Sequence, residues 1–341
     1  MSTEHAPPFE SALGYLIQTA LGRERGAYLL SVLAIDYRLA YSGTKLDRAT
    51  VAMALNVLLF SDLLDRVPTA AGYVRRVAQA GAQVCFDHGA LRTIDGSTGA
   101  LPRGTEAFAR ILGPLGYTVG GTYPLPKLRM TGYAFVQQDM PDRVPQFFVS
   151  QLHVAQLPGE AQAVADRVFG RSVDPLSARE IQFLSDLERT GHGEVDAAAE
   201  VLPRLAAAFG RHHPLPALAD YETLRTHSAE AAWIATEGNA FNHATDRVPD
   251  VAALAAELKA IGLPMKSALE VSSNRRVIQT AIMADSVERA FALEDGSVVQ
   301  RQVPGSFYEF ITRLRDPDTG SLDLTFDSGN ATGIFSVTNA A

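Results

Sequence analysis

The sequence predicts an α+β protein in which two βαβββ modules form a cleft, with a helical segment before them and a helical insert between them. The spacing of apolar residues changes from a helical to a strand pattern near residue 82, and it does so again near residue 231. After each change the same order of elements follows. A repeated order of this kind indicates an internal repeat, and two such modules packed side by side would curl their sheets around a shared cavity.

The predicted elements follow from periodicity and turn chemistry. Residues 11–80 place apolar residues three and four apart, as helices do. The first module is predicted from a strand at 82–94, a helix at 104–116 and strands at 117–121, 127–138 and 145–154. The second is predicted from a strand-like segment at 231–248, a helix at 250–262 and strands at 275–287, 288–296 and 306–313. The predicted divisions are a helical segment 1–80, a first module 81–154, a helical insert 155–230, a second module 231–325 and a C-terminal tail 326–341.

Composition excludes several classes of protein. The chain has 341 residues, of which 47% are hydrophobic and 20% charged, so disorder and collagen-like repetition are excluded. A net charge of −8 argues against a nucleic-acid partner, because phosphate backbones favour basic surfaces. No apolar run approaches the roughly 20 residues of a membrane helix. The N-terminus lacks a signal-peptide pattern and a single cysteine fits a reducing compartment, so we predict a cytoplasmic protein and leave its oligomeric state open.

The two modules match in detail at their first strands. His88 is followed four residues later by Arg92, and His243 is followed four residues later by Arg247. Side chains on a strand alternate between faces, so each histidine shares a face with its arginine. We therefore expect one histidine and one arginine to point into each half of the cleft.

A third ligand would complete a metal site. Glu309 lies in the last predicted strand between two aromatic residues, where a carboxylate is costly unless it is paired or binds a metal. His88, His243 and Glu309 lie too far apart in sequence to form a local motif, so only the module repeat would bring them together. Two imidazoles and one carboxylate are typical of non-haem Fe(II) oxygenases, in which open positions admit substrate and dioxygen.

The segments DHGALRT, NHATDRV and SFYEF, in this order, resemble the 2-oxoadipate dioxygenase/decarboxylase family, whose core is related to the vicinal-oxygen-chelate fold. The resemblance runs from about residue 11 to residue 320. It implies that His88, His243 and Glu309 hold Fe(II) and that Arg92 binds a substrate carboxylate through a two-point fork. It also implies conversion of 2-oxoadipate and dioxygen into 2-hydroxyglutarate and carbon dioxide, within lysine catabolism.

The resemblance leaves the preferred length of the 2-oxo acid open. Better-known bacterial members complete the substrate pocket from a longer segment after the glutamate strand, whereas 32 residues follow Glu309 here. Side chains that we expect to contact substrate, besides the two histidines and Arg92, are Arg247, Gln279, Thr280 and Tyr308, with Ser272 and Ser273 as further candidates.

Other interpretations remain for these predicted site residues and for the predicted function. Arg92 could instead pair with Asp87 or Asp95, and Arg247 with Asp246 or Asp250. The same modules could support a metal-dependent lyase or isomerase that stabilises an enolate without oxygen. They could also form a non-catalytic binding module in which the two histidines only hydrogen-bond a small ligand.

Overall fold

A computed structural model describes residues 10–39, 45–327 and Val337, and its centre is an eight-stranded sheet. Of the C-terminal tail predicted at 326–341, only residues 326, 327 and 337 are among those described, and residues 1–9 also lie outside them. Within the described ranges no helix combines the length and the apolarity that a bilayer crossing needs.

Helices dominate the chain before the sheet, as predicted. They are α1 (Ala12–Leu21), α2 (Arg23–Val32), α3 (Arg48–Arg66) and α4 (Pro68–Gln79), with a short strand β1 (Lys45–Asp47) before α3. Local signals set their ends. The Ser11 hydroxyl accepts a hydrogen bond from the Gly14 N–H at the start of α1, and Pro68 occupies the first position of α4, where no N–H is needed. Almost all of α3 is buried, so it is the central helix of this layer.

The first module has the predicted order. Its elements are β2 (Phe86–Asp95), α5 (Glu106–Leu112), β3 (Tyr117–Leu125), β4 (Met130–Gln137) and β5 (Gln146–His153). The insert that follows is helical, in α6 (Gly159–Phe169), α7 (Ala178–Thr190), α8 (Val195–Ala207), α9 (Leu218–His227) and α10 (Ala229–Glu237). A three-residue strand, β6 (His192–Glu194), lies before α8 and pairs with β1.

The second module departs from the prediction in two places. It contains β7 (Phe241–Arg247), α11 (Val251–Ala260), β8 (Glu270–Val271), β9 (Val277–Ile282), β10 (Ser286–Ala292), β11 (Val298–Pro304) and β12 (Phe307–Arg313). The first half of the strand-like segment at 231–248 is helical, because Ser228 caps an alanine-rich run that becomes α10. The strand predicted at 288–296 belongs to the separate hairpin β10–β11, and the two-residue β8 takes its place in the module.

The two modules share one sheet, in the strand order β3-β4-β5-β2-β7-β12-β9-β8. Each module contributes four strands, and the second half of the order mirrors the first. Within each module the outer pairs are antiparallel, whereas β2–β5 and β7–β12 are parallel. The halves meet where β2 pairs antiparallel with β7, so the first strands of the two modules lie side by side at the centre.

One face of the sheet is packed against the helices. Tyr308 and Phe310 of β12 contact Tyr73 of α4 there. At the centre of this face Gly89 lies under the ring of Phe241, where a Cβ atom would fall 2.1 Å from the ring, so only glycine allows β2 and β7 to approach this closely. The opposite face is therefore left to form the cleft.

A buried hydrogen bond joins this helical layer to the sheet. The Tyr73 hydroxyl donates to Asp246 Oδ2 at 2.8 Å, and the Cys85 N–H donates to Asp246 Oδ1 at 2.9 Å. Burial raises the pKa of Asp246 to about 7, an effect that these two hydrogen bonds oppose only in part. Because the folded pKa lies above the ordinary value of 3.8, this group favours folding at low pH, and that contribution is lost as the pH rises through 7.

We expect Tyr73→Phe to lower the free energy of unfolding by about 1–3 kcal/mol, because it removes the donor from a buried carboxyl group. The loss should be larger at pH 8 than at pH 5, since Asp246 is ionised only above its raised pKa. Urea unfolding followed by circular dichroism at both pH values measures it. Tyr37→Phe, at an exposed position, is the control. Equal losses at the two pH values would contradict the ionisation assigned to Asp246.

Candidate metal centre

The register of three strands brings the predicted ligands together. Where β2 pairs with β7, His88 lies opposite Thr245 and Ala90 lies opposite His243. Where β12 pairs with β7, Glu309 lies beside Thr245. Residues opposite each other in a sheet point to the same face, so Thr245 is surrounded by the two histidines and the glutamate.

The three side chains are buried and close. One ligand atom from each of His88, His243 and Glu309 can be chosen so that all lie within 4.8 Å of one another. Glu309 Oε2 lies 2.9 Å from His243 Nε2 and 3.7 Å from His88 Nε2. The Thr245 hydroxyl donates to Glu309 Oε2 at 3.1 Å and also lies 3.1 Å from His88 Nε2. The predicted triad is thus one cluster in the structure.

The residue before each histidine orients its ring. The pairing of β2 with β7 shifts register at Asp87 and again at Asn242, as β-bulges do. Asp87 Oδ2 lies 2.9 Å from His88 Nδ1, and Asn242 Nδ2 lies 2.9 Å from His243 Nδ1. Regular alternation would have turned both side chains to the helical face of the sheet. The bulges instead place both beside the imidazole they follow.

Asp87 also fixes which nitrogen of His88 faces the cleft. Arg313 Nε donates to both oxygens of Asp87 at 3.0 Å, and Arg247 Nη1 lies 3.7 Å away. Burial raises the pKa of Asp87, but Arg313, His88 and Arg247 outweigh that effect and hold the pKa well below its usual range. An ionised Asp87 accepts the proton on Nδ1, which leaves the lone pair of His88 Nε2 facing the cluster.

Asn242 restricts the tautomer of His243 less than Asp87 restricts that of His88. As the amide stands, its Nδ2 donates to Nδ1, so His243 donates from Nε2 to Glu309. Rotation of the amide by 180° would present Oδ1 instead and free Nε2 to bind a cation. The second module therefore supports either tautomer of its histidine, whereas the first supports one.

The charges of the cluster suit a cation. Burial, with smaller contributions from His88 and Arg92, lowers the pKa of His243 despite the opposing effect of the Glu309 carboxylate. Burial also raises the pKa of Glu309, but His243, His88 and the Thr245 hydroxyl outweigh it and lower the pKa overall. A neutral imidazole beside an ionised carboxylate results. Glu309 Oε1 is buried without a hydrogen-bond partner among the described residues, as expected of an atom that binds an ion.

The cleft lining has a polar part and an apolar part. The ligands lie on the polar part with Asn242 and Gln279. The apolar part of the lining consists of Ala90 and Phe148 of the first module and Phe326 from the segment after β12, and these pack with Ala134 and Tyr123. Ser150 and Asp327 complete the lining. A ligand here would place polar groups toward the histidines and a hydrocarbon portion against the rings.

Arg92 lies further along the same face of β2 and is buried. Its guanidinium stacks over the ring of Trp233, with Cζ 4.9 Å from the ring centroid. Burial lowers the pKa of Arg92 to about 10, with Glu230 acting in the opposite direction. The side chain therefore keeps its positive charge at neutral pH. The two alternatives predicted as its ionic partners pair with other residues: Asp87 with Arg313 and His88, and Asp95 with Arg103 and His153.

Because side chains alternate along a strand, only some of the other residues predicted to contact substrate face the cleft. Gln279 lines the cleft and donates to Glu270 Oε2 at 3.1 Å. Thr280 is its neighbour on β9 and pairs in register with Phe310, so it faces the helical layer. Tyr308 precedes Glu309 on β12 and is buried among aromatic rings on that same layer. Thr280 and Tyr308 therefore do not reach the cleft.

Arg247 also lies away from the cluster. Its Nη2 donates to Cys85 Sγ at 3.1 Å and to the Asp142 carbonyl at 3.2 Å, and the side chain lines a separate surface depression. Its ionic partner is Asp87 rather than Asp246 or Asp250. Ser272 bonds Asn274, and Ser273 bonds Asp327 at the edge of the cleft.

Sequence reasoning missed several residues of the site. Asn242 could have been found, because it occupies the repeat position of Asp87. Thr245 could also have been found, since it shares a face with His243. Phe148 and Ser150 lie on β5 in register with Ala90 and Arg92, a pairing that sequence does not specify.

Two βαβββ modules that share a sheet, with two histidines and a glutamate in its cleft, define a protein of the glyoxalase superfamily type with a candidate metal site. A crystal structure of a protein assigned to that superfamily, from Ralstonia eutropha JMP134, agrees. It matches with a TM-score of 0.89 and 48% identity, over 93% of this chain and 99% of that one.

The family model for 2-oxoadipate dioxygenase/decarboxylase matches residues 58–315, and the chain belongs to that family. This confirms the resemblance drawn from the three sequence segments. The chloroplastic 2-oxoadipate dioxygenase/decarboxylase of Arabidopsis thaliana is 26% identical in an alignment 306 positions long, and the match covers 81% of this chain and 74% of that protein. The hydroxyglutarate synthase of Oryza sativa, solved with 2-oxoadipate, shares the fold with a TM-score of 0.67 and 20% identity, over 86% of this chain and 93% of that one.

Glu309→Gln is expected to weaken binding of a divalent cation at least 100-fold, because it removes the only anionic ligand of the cluster while preserving its shape. Calorimetric titration with Co(II) measures the affinity, and circular dichroism verifies the fold. Glu270→Gln, near the cleft but outside the triad, should change the affinity less than tenfold. Undiminished Co(II) binding by folded Glu309→Gln would refute the ligand assignment.

Proposed function

We propose that this chain is an Fe(II)-dependent enzyme that converts a 2-oxo dicarboxylic acid and dioxygen into carbon dioxide and the 2-hydroxy acid one carbon shorter. The proposed substrate is 2-oxoadipate and the proposed product is 2-hydroxyglutarate. The observation that carries the proposal is the buried cluster of His88, His243 and Glu309 in a member of this family. Both atoms of dioxygen would end in the shortened hydroxy acid, so the reaction needs no second organic substrate.

The donor set is the basis for naming iron. Two imidazole nitrogens and one carboxylate oxygen match the ligands of non-haem Fe(II) oxygenases. When bound, Fe(II) would supply redox chemistry toward dioxygen and Lewis acidity toward the 2-oxo acid. Glu309 is the one anionic member of the triad, so a bound Fe(II) would leave an excess of positive charge for an anionic substrate.

Arg92 is the group proposed to bind the far carboxylate. It lies four residues beyond His88 on the same face of β2, about 13 Å away at roughly 3.3 Å per residue. The Arg92 side chain would span part of this distance. The remainder, between its guanidinium and the histidines, would suit an extended dicarboxylate. Its planar guanidinium can grip both carboxylate oxygens and so fix which end of the acid faces the histidines.

The apolar part of the cleft lining suits the middle of such an acid. Phe148, Phe326 and Ala90 line the cleft beside the cluster and offer no hydrogen bonds from their side chains. The methylene groups of 2-oxoadipate would lie against them. Contact with rings and methyl groups also excludes water, which strengthens the attraction between Arg92 and a carboxylate.

The biological setting proposed from the family is lysine catabolism in the cytoplasm. The single cysteine of the chain, Cys85, fits a reducing compartment.

We expect the protein, reconstituted anaerobically with Fe(II), to consume one dioxygen and release one carbon dioxide for each 2-oxoadipate. An oxygen electrode and chromatography of the hydroxy acid measure this stoichiometry. Glu309→Gln is the matched inactive control. Substrate loss without oxygen uptake would favour a lyase or isomerase instead, and binding without loss of substrate would favour a binding module.

Arg92→Lys should reduce kcat/KM for 2-oxoadipate more than tenfold, because an ammonium group cannot reproduce the two-point contact. Co(II) affinity should stay within threefold of the unsubstituted protein, since Arg92 is not a ligand. Steady-state oxygen uptake and calorimetry provide the two measurements. Unchanged kcat/KM would remove Arg92 from the substrate site.

A further inference from the structure

A short segment near the end of the described chain crosses the cleft. We call residues 323–327 the strap. Arg313 Nη1 donates to the Asp323 and Thr325 carbonyls at 3.0 and 2.7 Å, and Gln146 donates to the Leu324 carbonyl at 3.2 Å. These bonds tie the strap to strands of both modules.

Two further bonds fix the last two residues of the strap. The Phe326 N–H donates to the Tyr123 hydroxyl at 3.0 Å, on the edge strand of the first module. Ser273 donates to Asp327 Oδ2 from its backbone N–H at 3.0 Å and from its hydroxyl at 3.1 Å, in the second module. The strap therefore spans the cleft and is held at both sides.

The strap places the ring of Phe326 inside the site. The ring lies edge-on to His88, with centroids 4.9 Å apart, and packs against Phe148 at 4.8 Å and Tyr123 at 5.9 Å. Arg313 lies over its other side, with Cζ 4.9 Å from the ring centroid. Packed rings on one side and a buried guanidinium on the other leave Phe326 little freedom to move.

We propose that Phe326 is the residue that determines which 2-oxo acids fit, by limiting the width of the space beside His88. This inference rests on the proposed function and specifies its substrate class as slender, unbranched 2-oxo dicarboxylates. The ring lies against His88 and Phe148 and forms part of the cleft lining, so it limits the space that remains for the carbon chain of an acid. A branched or aromatic acid would overlap the ring.

The effect of pocket size on substrate selectivity has a typical magnitude. A difference of one methylene group in an apolar pocket changes selectivity by roughly 10–200-fold. Removal of a phenyl ring creates more space than that. Loss of the ring also removes an apolar surface that a slender acid contacts, so the preferred acid should bind more weakly. A bulky acid should bind more tightly, because it no longer overlaps the ring.

The experiment measures acid binding without turnover. Phe326→Leu and Phe326→Ala proteins are loaded anaerobically with Fe(II) and titrated with 2-oxoglutarate, 2-oxoadipate, 2-oxopimelate and phenylpyruvate. Trp233, the sole tryptophan, reports binding through its fluorescence because it stacks on Arg92. Tyr37→Leu, which removes an exposed ring far from the strap in sequence, is the control.

For Phe326→Ala we expect at least tenfold weaker binding of 2-oxoadipate and at least tenfold tighter binding of phenylpyruvate, with Phe326→Leu intermediate. Fe(II) affinity should stay within threefold, because the ring is not a ligand. An unchanged ranking of the four acids in folded Phe326→Leu would overturn the proposal while leaving the proposed function intact. An unsubstituted protein that binds none of the acids and takes up no oxygen would overturn both.

Discussion

The pairing of β2 with β7 is the constraint on which the site depends. These strands come from different modules, and their antiparallel register sets His88 opposite Thr245 and His243 opposite Ala90. A slip of one residue would turn every side chain of one strand to the other face and separate the histidines. Gly89 contributes to this register, because its missing side chain lets the Phe241 ring pack directly on β2.

The ligands could be predicted because the repeat gives them equivalent positions. His88 and His243 each follow a polar residue at the start of a module, and Glu309 is a carboxylate within an apolar strand. The same alternation that grouped His88 with Arg92 also argues against Tyr308, since adjacent strand residues point to opposite faces. Applied to β9, it places Thr280 opposite to Gln279.

Other features depend on contacts that local sequence does not encode. The bulges at Asp87 and Asn242 arise from the fit between β2 and β7, so the orientation of both imidazoles was not predictable from alternation. The strand pattern predicted at 231–237 is wrong because this apolar part of α10 is buried on all sides and lacks a helical stripe. Phe326 enters the cleft only because Arg313, Gln146 and Tyr123 hold the strap across it.

The hydrogen bonds within the cluster bear on how its shape is maintained. His243 and Thr245 both contact Glu309 directly, and Asp87 orients His88. In zinc fingers the metal drives folding, because the ligands have no partners until it arrives. Here the polypeptide itself supplies partners to His88, His243 and Glu309, so the arrangement of the candidate ligands does not rest on a cation alone.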